Sequence, residues 1–520
     1  MCIVDGEDSK PMHRKLVISD DFFGHNQEDV KLDGINVLGG VAELAAVHKF
    51  IVVAVKSVGT EEMALYVTDD AQQWHRAEFP HEHGSLKEDA YTILESTPYS
   101  IQVDVLSGHI TSPMGTFFTS NSNGTYFTRG LDHTNRIPSG AVDNEKIEGI
   151  QGILLANVVK NFREVESNIL AEKEIVSQIS FDDGKLGTWK QLKAGDKDLH
   201  LHSVTRGGNG GRVFSSRAPG LVMGVGNTGE KLQDYVDGDL YLSDDAGLTW
   251  KKQKDGAHKY EFGGAGSVIV IVDDEMPTDT IEYSTNFGKD WKELKLEVEM
   301  RVRLLTTTPD STSLNFLLVG TSKDRKSHAI NVDFSNVLEK KCEKDDFEKW
   351  YARYDEDGKP DCLMGHKEYF YRRKKDAQCN AGKLYEEPDA EQEICDCLDH
   401  DFECDFNYIR SDDGKTCDPV PGTAKTPADQ CKDPKDKYKG PSGFRKIPGN
   451  NCKDGVNKET ETVERECGGG KQVPKSRRSQ VLTLYSPFTT SQREDIHANH
   501  EVQGRGCGRV FLPRQRGDGI

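Results

Sequence analysis

The segment Tyr241-Leu-Ser-Asp-Asp-Ala-Gly-Leu-Thr-Trp250 decides the fold of this chain. Its pattern, S-x-D-x-G-x-T-W, is carried by Ser243, Asp245, Gly247, Thr249 and Trp250. The pattern suits a β-hairpin turn, because Asp245 can accept hydrogen bonds from turn amides, Gly247 can take a positive φ and Trp250 can bury its ring. We interpret it as a structural Asp-box. A catalytic or calcium-binding Asp245 is the less favoured alternative, because an Asx turn already accounts for the residue.

The box recurs along the first part of the chain, with a looser copy at 118–126 and a remnant at 16–22. Spacings of roughly 40 to 60 residues are typical of propeller blades built from four antiparallel strands. Short continuous apolar runs accompany the boxes, as expected for central strands that are buried on both faces. We therefore predict an all-β fold in which residues 1–338 form about five blades of an Asp-box β-propeller. The structural box residues of the other copies are Ser284, Asn286, Gly288, Trp291, Asp182, Trp189, Asp70 and Trp74.

The composition limits the partners of the chain. A formal net charge of −20 argues against nucleic acid and anionic membranes, because phosphate binding needs clustered Lys and Arg. No apolar run approaches the ~20 residues of a membrane helix, and the N-terminus shows no signal peptide. We expect no cofactor and no metal. Asn123-Gly-Thr125 predicts one N-glycosylation site, at Asn123.

Ten of the twelve cysteines fall in one region, which predicts a disulfide-rich module over residues 339–468 and an oxidising compartment. Zinc is the less favoured alternative, because the region has no C-x-x-C pair. Residues 469–520 are basic and lack apolar periodicity, so we expect a disordered tail. The cysteines that we expect to pair are Cys342, Cys362, Cys379, Cys395, Cys397, Cys404, Cys417, Cys431, Cys452 and Cys467.

The sequences around these cysteines resemble the ten-cysteine module of the sortilin family, and with the boxes the resemblance covers residues 15–468. It is carried by Cys342–Trp350, Cys362–Phe370, Cys395–Leu398 and Gly443-Phe-Arg-Lys-Ile-Pro-Gly449. Fungal sorting receptors with tandem copies of this domain are the most similar members. The resemblance implies a ten-bladed propeller braced by small disulfide modules. We therefore expect this chain to be the C-terminal half of one such domain, truncated and without its membrane anchor.

The resemblance also implies a function, that of a sorting receptor for soluble vacuolar hydrolase precursors such as a carboxypeptidase precursor. Such a receptor works on the lumenal side of trans-Golgi and prevacuolar endosome membranes. Its ligands are implied to add an extended segment to a strand edge inside the propeller tunnel. The Arg that would bind a terminal carboxylate corresponds to Met63, which weakens that mode. The positions that match the ligand-lining residues are Val52, Ala54, Leu65, Tyr91, Thr92 and Ile93.

Two other function classes stay open. Asp-boxes also occur in sialidases and other glycosidases, and Arg136-Ile-Pro138 resembles the arginine motif of sialidases. Glycosidase chemistry needs paired carboxylates, or a tyrosine nucleophile with convergent arginines, and no such set can be named from the sequence. We therefore predict that the chain is not an enzyme. A truncated product without function is the third class.

Overall fold

The computed structural model describes residues 1–5, 13–32, 40–56, 63–80, 91–94, 96–206, 214–355, 357–382, 391–411, 415–420, 423, 431 and 436–467. Within these ranges nearly all regular structure is β-strand. Helix α1 spans Phe162–Ser167, and short 3-10 turns span Val204–Arg206, Tyr235–Asp237, Lys344–Asp346 and Asp399–Asp401. The predicted tail, 469–520, lies outside the described residues.

Antiparallel sheets follow one another along the chain up to residue 333, and we divide them into the first sheet and blades A to E; blades B and C are joined into one eight-stranded sheet by the pair Thr134 and Val158. The first sheet contains β1 (Cys2–Val4), β2 (Lys15–Ile18) and β3 (Glu28–Asp29). Blade A contains β4 (Val41–Val47), β5 (Phe50–Lys56), β6 (Met63–Thr68) and β7 (His75–Arg76). Blade B contains β8 (Tyr91–Ile93), β9 (Gln102–Leu106), β10 (Met114–Ser120) and β11 (Phe127–Asn135). Blade C contains β12 (Asn144–Lys146), β13 (Leu154–Val159), β14 (Ile175–Ser180) and β15 (Lys190–Gln191).

The last two blades carry extra strands. Blade D contains β16 (Lys193–Ala194), β17 (Lys197–Leu201), β18 (Phe214–Ser215), β19 (Val222–Thr228), β20 (Asp239–Ser243) and β21 (Lys251–Lys254). Blade E contains β22 (His258–Gly263), β23 (Val268–Asp273), β24 (Thr278–Ser284) and β25 (Lys292–Thr306). Strand β25 pairs first with β24 and then with β26 (Asn315–Ser322), which pairs with β27 (Ser327–Asp333).

Buried apolar side chains fill the spaces between neighbouring blades. Phe50, Val52 and Leu65 of blade A share one cluster with Val103 and Phe118 of blade B. Similar clusters join the first sheet to blade A, blade B to blade C, and blade D to blade E. Each blade therefore covers the apolar face of the next one, as in a propeller. The predicted partial propeller of about five blades is confirmed.

The box of blade D is a turn closed by its own side chains. The hydroxyl of Ser243, the last residue of β20, accepts the amide of Gly247 at 2.9 Å and donates to Asp245 at 2.8 Å. Asp245 accepts the amide of Thr249 at 2.8 Å. Ala246 and Gly247 have φ angles of 58° and 84°, and these left-handed conformations bend the chain between the strands. The equivalent acceptors are Asn286 in blade E, Asp182 in blade C, Asp70 in blade A and Asp21 between β2 and β3 of the first sheet.

The tryptophans of the boxes differ in how their indole nitrogens are bonded. Trp250 Nε1 donates to the carbonyl of Gly247 at 3.0 Å, and Trp189 Nε1 donates to that of Gly184 at 3.2 Å. Trp74 is 4% exposed, and its Nε1 has no hydrogen-bond partner among the described residues. The box of blade A is one residue shorter and lacks the glycine that supplies the carbonyl in blades C and D.

The region after residue 340 is a module of short sheets held by disulfides. Its strands are β28 (Phe347–Tyr351), β29 (His366–Arg373), β30 (Glu391–Ile394), β31 (Asp396–Cys397), β32 (Phe402–Cys404), β33 (Tyr408–Arg410), β34 (Cys417–Pro419), β35 (Lys437–Pro441), β36 (Phe444–Lys446), β37 (Lys453–Gly455) and β38 (Thr462–Glu466). The disulfides are Cys342–Cys379, Cys362–Cys395, Cys397–Cys452, Cys404–Cys417 and Cys431–Cys467. All ten of these cysteines therefore pair within the module. The predicted disulfide-rich, ten-cysteine module after the partial propeller is confirmed.

Arginines of strand β29 dock the module on the box loops. Arg372 Nη1 donates to the carbonyl of Asp244 in box D at 2.8 Å. Arg373 Nη2 donates to the carbonyl of Thr285 in box E at 2.9 Å. Both arginines are almost fully buried, at 4% and 2% exposure. Charged donors satisfied by main-chain carbonyls therefore join the module to two successive blades.

Apolar contacts complete this junction. Trp350 and Met364 of the module belong to the same buried cluster as Trp250 of box D. A Cβ atom on Gly220 would lie 2.6 Å from the Trp350 ring, so only glycine fits there. Under blade B, Arg445 Nη2 donates to the hydroxyl of Thr128 at 2.7 Å. The module thus contacts at least three blades.

Two carboxyl groups are buried under blade C without an ion-pair partner in the described ranges. Glu368 of β29 is 5% exposed, and burial raises its pKa to about 8. Asp183 of box C is 3% exposed, and burial raises its pKa to about 7. Asp183 accepts a hydrogen bond from Gln102 Nε2 at 2.9 Å. Burial therefore makes the ionisation of both groups less favourable in the folded chain.

Replacing Asp245 with Ala is expected to lower the free energy of unfolding by about 1–3 kcal/mol, because the amide of Thr249 and the hydroxyls of Ser243 and Thr249 lose their acceptor. The measurement is denaturant unfolding followed by tryptophan fluorescence. The control is Asp255→Ala, which removes an exposed carboxylate paired with Lys252 and is expected to leave the transition midpoint in place. Equal midpoints for the two variants would contradict the structural role of the box.

The pKa of Glu368 in the folded chain lies above its ordinary value, so its stabilising contribution is complete below pH 4.5 and is lost as the pH rises toward 8. We expect unfolding free energy to fall by about 2–3 kcal/mol between pH 5.5 and 8 from this group. Glu368→Gln has a side chain that is neutral at pH 5.5 and at pH 8, so it should remove this part of the pH dependence of the unfolding free energy. A Glu368→Gln profile parallel to that of the unmodified chain would show that the carboxyl is ionised throughout.

Candidate ligand-binding cleft

A cleft of about 1040 Å³ opens between the first strands of blades A and B. Strand β4 and the turn residue His48 form one wall, strand β8 forms the other, and the loop 136–141 closes one end. Clefts of this size bury most of a small ligand or a few residues of an extended peptide. We name it the blade A–B cleft.

Strand β4 brings an open main-chain edge to this cleft. It pairs with β5, and no strand within the described ranges pairs with its other side, where the amide of Val41 at the start of the strand donates to the carbonyl of Arg14 at 3.2 Å. Glu43 and Ala46 are exposed, and Ala45 and Val47 are half-buried. Unpaired N–H and C=O groups along an edge strand are a ready template for another extended segment. The cleft can therefore take a peptide by main-chain pairing.

The sequence-predicted ligand residues divide into two groups. The half-buried residues of strand β8 line the cleft, namely Tyr91, Thr92 and Ile93. Val52, Ala54 and Leu65 do not line it, because they lie on β5 and β6 with 1%, 3% and 1% exposure. Val52 and Leu65 instead form part of the core between blades A and B. The contact of Tyr91, Thr92 and Ile93 with a ligand stays a prediction.

One wall of the cleft, formed by residues from Glu43 to His48, was not predicted from the sequence. The segment Val41-Ala-Glu-Leu-Ala-Ala-Val47 is rich in Ala and lacks the alternation of a half-buried strand. The segment can be recognised as a strand from its position, because it directly precedes the apolar run of β5 across the two-residue turn His48-Lys49. The first strand of a blade could therefore have been found by counting back from the box.

A buried ion pair supports the end wall of the cleft. Arg136 Nη1 donates to Asp104 Oδ1 at 2.7 Å, and the side chains are 3% and 0% exposed. The hydroxyl of Thr134 also donates to Asp104, and Arg136 Nη2 donates to the hydroxyl of Thr92 at 3.3 Å. Lys173 Nζ donates to the carbonyl of Arg136 at 2.8 Å, and burial lowers the pKa of Lys173 to about 8. The guanidinium of Arg136 is thus already neutralised by Asp104.

This arrangement bears on the glycosidase alternative. An arginine that binds a sialic acid carboxylate must present its guanidinium to the ligand. Arg136 instead gives its Nη1 to a buried carboxylate, which makes it a structural residue of the wall.

Three further sequence-based expectations concern the surface and bound groups. Among the described residues, no helix is long and apolar enough to cross a membrane. The same residues hold no group of three or more His, Cys, Asp or Glu arranged for a metal ion. Asn123 is exposed in the box loop of blade B, and its glycosylation stays a prediction.

Comparison with known proteins gives two family matches. Residues 1–305 match the model described as "Sortilin, neurotensin receptor 3", and residues 307–467 match the model of its C-terminal part. Vacuolar protein sorting/targeting protein 10 of Paracoccidioides brasiliensis (strain Pb03) is 55% identical over 94% of this chain and 33% of the relative. The protein of the same name from Aspergillus fumigatus is 52% identical over 90% of this chain and 31% of the relative.

The chain belongs to the sortilin family. It spans about a third of the length of the curated relatives that it matches. Among solved structures, prolyl oligopeptidase B from Galerina marginata is 10% identical with a TM-score of 0.33, covering 72% of this chain and 53% of that one. That likeness is too slight to bear on function.

Replacing Arg136 with Met is expected to destabilise the fold by about 3–5 kcal/mol, because it leaves the Asp104 carboxylate buried without its partner. Thermal unfolding of the purified chain measures the change. The double variant Arg136→Met with Asp104→Asn removes both charges and should recover much of the loss. If Arg136→Met were as stable as the unmodified chain, the guanidinium would be available to a ligand.

Proposed function

We propose that this chain is part of a sorting receptor that binds the precursors of soluble vacuolar hydrolases, such as a carboxypeptidase precursor. The observation that carries the proposal is the open edge of β4 beside a cleft of about 1040 Å³. The relatives are named vacuolar protein sorting/targeting proteins, which supports a role in vacuolar protein sorting.

The ligand binds as an extended segment that adds to the edge of β4. Main-chain hydrogen bonds provide most of the affinity, and side chains alternate between the cleft and solvent. Tyr91 and Ile93 contact the side chains that face the cleft. Because Arg136 is paired with Asp104, and Met63 stands where a carboxylate-binding Arg is expected, charge contributes little.

The proposed place of action is the lumenal side of the trans-Golgi network, with release in the prevacuolar endosome. Five disulfides in the module support an oxidising lumen. His48 lies in the wall of the cleft, with its Nε2 2.8 Å from the carbonyl of Ser96.

The end wall of the blade A–B cleft also favours a binding role over an enzymatic one. The arginine that resembles a sialidase motif is internally paired, and the relatives' names describe protein sorting. A fluorogenic sialoside is therefore expected to be left intact by the purified chain.

Ala46→Pro tests the strand-addition mode. Val47 pairs with Phe50 across the two-residue turn, so these two residues exchange hydrogen bonds and the amide of Ala46 points away from β5. Proline at an edge position with an outward N–H is tolerated by the sheet but removes a donor to the ligand. We expect the affinity for a synthetic carboxypeptidase propeptide, measured by calorimetry, to fall about tenfold.

Ala46→Ser is the matched control, because it keeps the amide and the small side chain. It should bind the propeptide as the unmodified chain does. Equal binding by Ala46→Pro and Ala46→Ser, with both variants folded, would show that the edge of β4 is not the site.

A further inference from the structure

Two loops of blade B form the end wall of the blade A–B cleft. The loop 107–113, between β9 and β10, contributes Ile110 and Pro113 to the lining, and the loop 136–141 contributes all six of its residues. The second loop is tied to the strand wall of the cleft, because the hydroxyl of Thr92 donates to the carbonyl of Gly140 at 2.7 Å. The separation of the two loops therefore sets the shape of this end of the cleft.

Lys173, in the loop between α1 and β14 of blade C, joins these two loops. It is half-buried, and it lies outside the set of described residues that line the cleft. Its Nζ donates to the carbonyl of Pro113 at 2.6 Å and to the carbonyl of Arg136 at 2.8 Å. A third bond, of 3.2 Å, goes to Oδ1 of Asn135, the last residue of β11. An ammonium group has three N–H donors, so oxygens of blade B use all three.

This triple contact depends on the proton of Lys173. An uncharged amine has two donors and a lone pair, so one of the three oxygens would lose its donor and face the lone pair. Burial lowers the pKa of Lys173 to about 8, Asp143 acts to raise it, and Arg136 acts to lower it. The contact is therefore complete below pH 8 and weakens as the pH rises above that value. The other charged and titratable groups of the surrounding elements are Asp104, which pairs with Arg136, His109 and His133 of blade B, and the chain neighbours Glu172 and Glu174.

We propose that Lys173 is a positioning residue of the blade A–B cleft, whose ammonium group holds the loops 107–113 and 136–141 at the separation that the ligand requires. The inference rests on the proposed function of that cleft. Loss of one of the three bonds lets the two loops move apart, and Ile110 then no longer meets the same ligand as the loop 136–141. The affinity of the cleft therefore falls when this lysine is neutral.

The test is calorimetry of the full chain with the synthetic carboxypeptidase propeptide at pH 7 and at pH 9. If the uncharged form binds about tenfold more weakly, the affinity should fall about fivefold between these values for a group whose pKa is about 8. Lys173→Met lacks the ammonium group, so it should bind about tenfold more weakly at pH 7 and show no such fall. The titration of every other group, including those of the propeptide, is common to both chains, so the difference between the two profiles belongs to Lys173.

Lys160→Met is the matched control. Lys160 is an exposed lysine of the same blade, and its Nζ donates to the carbonyl of Glu230 at 3.5 Å, outside the cleft lining. This variant should reproduce the unmodified chain at both pH values. The profile of the unmodified chain needs no substitution, so the test stays decisive if Lys173→Met fails to fold. The inference is overturned if the unmodified chain binds the propeptide equally at pH 7 and pH 9, or if Lys173→Met binds it as Lys160→Met does.

Hydrogen exchange separates this inference from the proposed function. Within the loop, the amide of Ile137 donates to the carbonyl of Ala141, and the amide of Gly140 donates to that of Ile137. Exchange of these two amides should be at least about threefold faster in Lys173→Met than in Lys160→Met. If the unmodified chain binds no propeptide at either pH, the proposed function fails, and hydrogen exchange alone then decides the positioning role. Equal exchange in the two variants would overturn that role as well.

Discussion

The carbonyl groups of the box turns are the contacts on which the assembly of blades and module depends. Inside the box turns of blades D and E the side chains of a Ser and an Asp or Asn accept the amide groups, as Ser243 and Asp245 do. The carbonyl between them is then turned outward and can accept a bond from another element. Asp244 and Thr285 offer such carbonyls to Arg372 and Arg373. One local motif thus closes the hairpin and also presents an acceptor to the module.

Much of the fold could be predicted because its signals are local. A box specifies its own turn, and a continuous apolar run such as Val268–Asp273 indicates a strand covered on both faces. An even set of clustered cysteines likewise indicates a disulfide module, although spacing alone leaves the connectivity open. The pairs Cys397–Cys452 and Cys404–Cys417 depend on tertiary positions that no spacing encodes.

The candidate site was harder to predict because its wall is an exposed strand. Strand β4 contributes main-chain groups, and its Ala-rich sequence leaves no side-chain signature. Resemblance placed the ligand on Val52 and Leu65, which lie one and two strands further into the blade. Their side chains serve the core between blades, and this burial could be read only from the packed sheets. Lys185 illustrates the same limit, since its burial depends on a module more than 200 residues later in the chain.

The blade A–B cleft offers a ligand the main chain of β4. Main-chain pairing tolerates many sequences, because it does not depend on the side chains of the added segment.

The disulfide connectivity has a consequence for the order of folding. Each described disulfide of the module joins cysteines between 13 and 55 residues apart, and the last pair needs Cys467. During synthesis the blades therefore leave the ribosome well before the module can oxidise, since domains fold in the order in which they emerge. Until then, water must solvate the carbonyls of Asp244 and Thr285. The module therefore joins the blades late, and the oxidation of its cysteines determines when that junction becomes permanent.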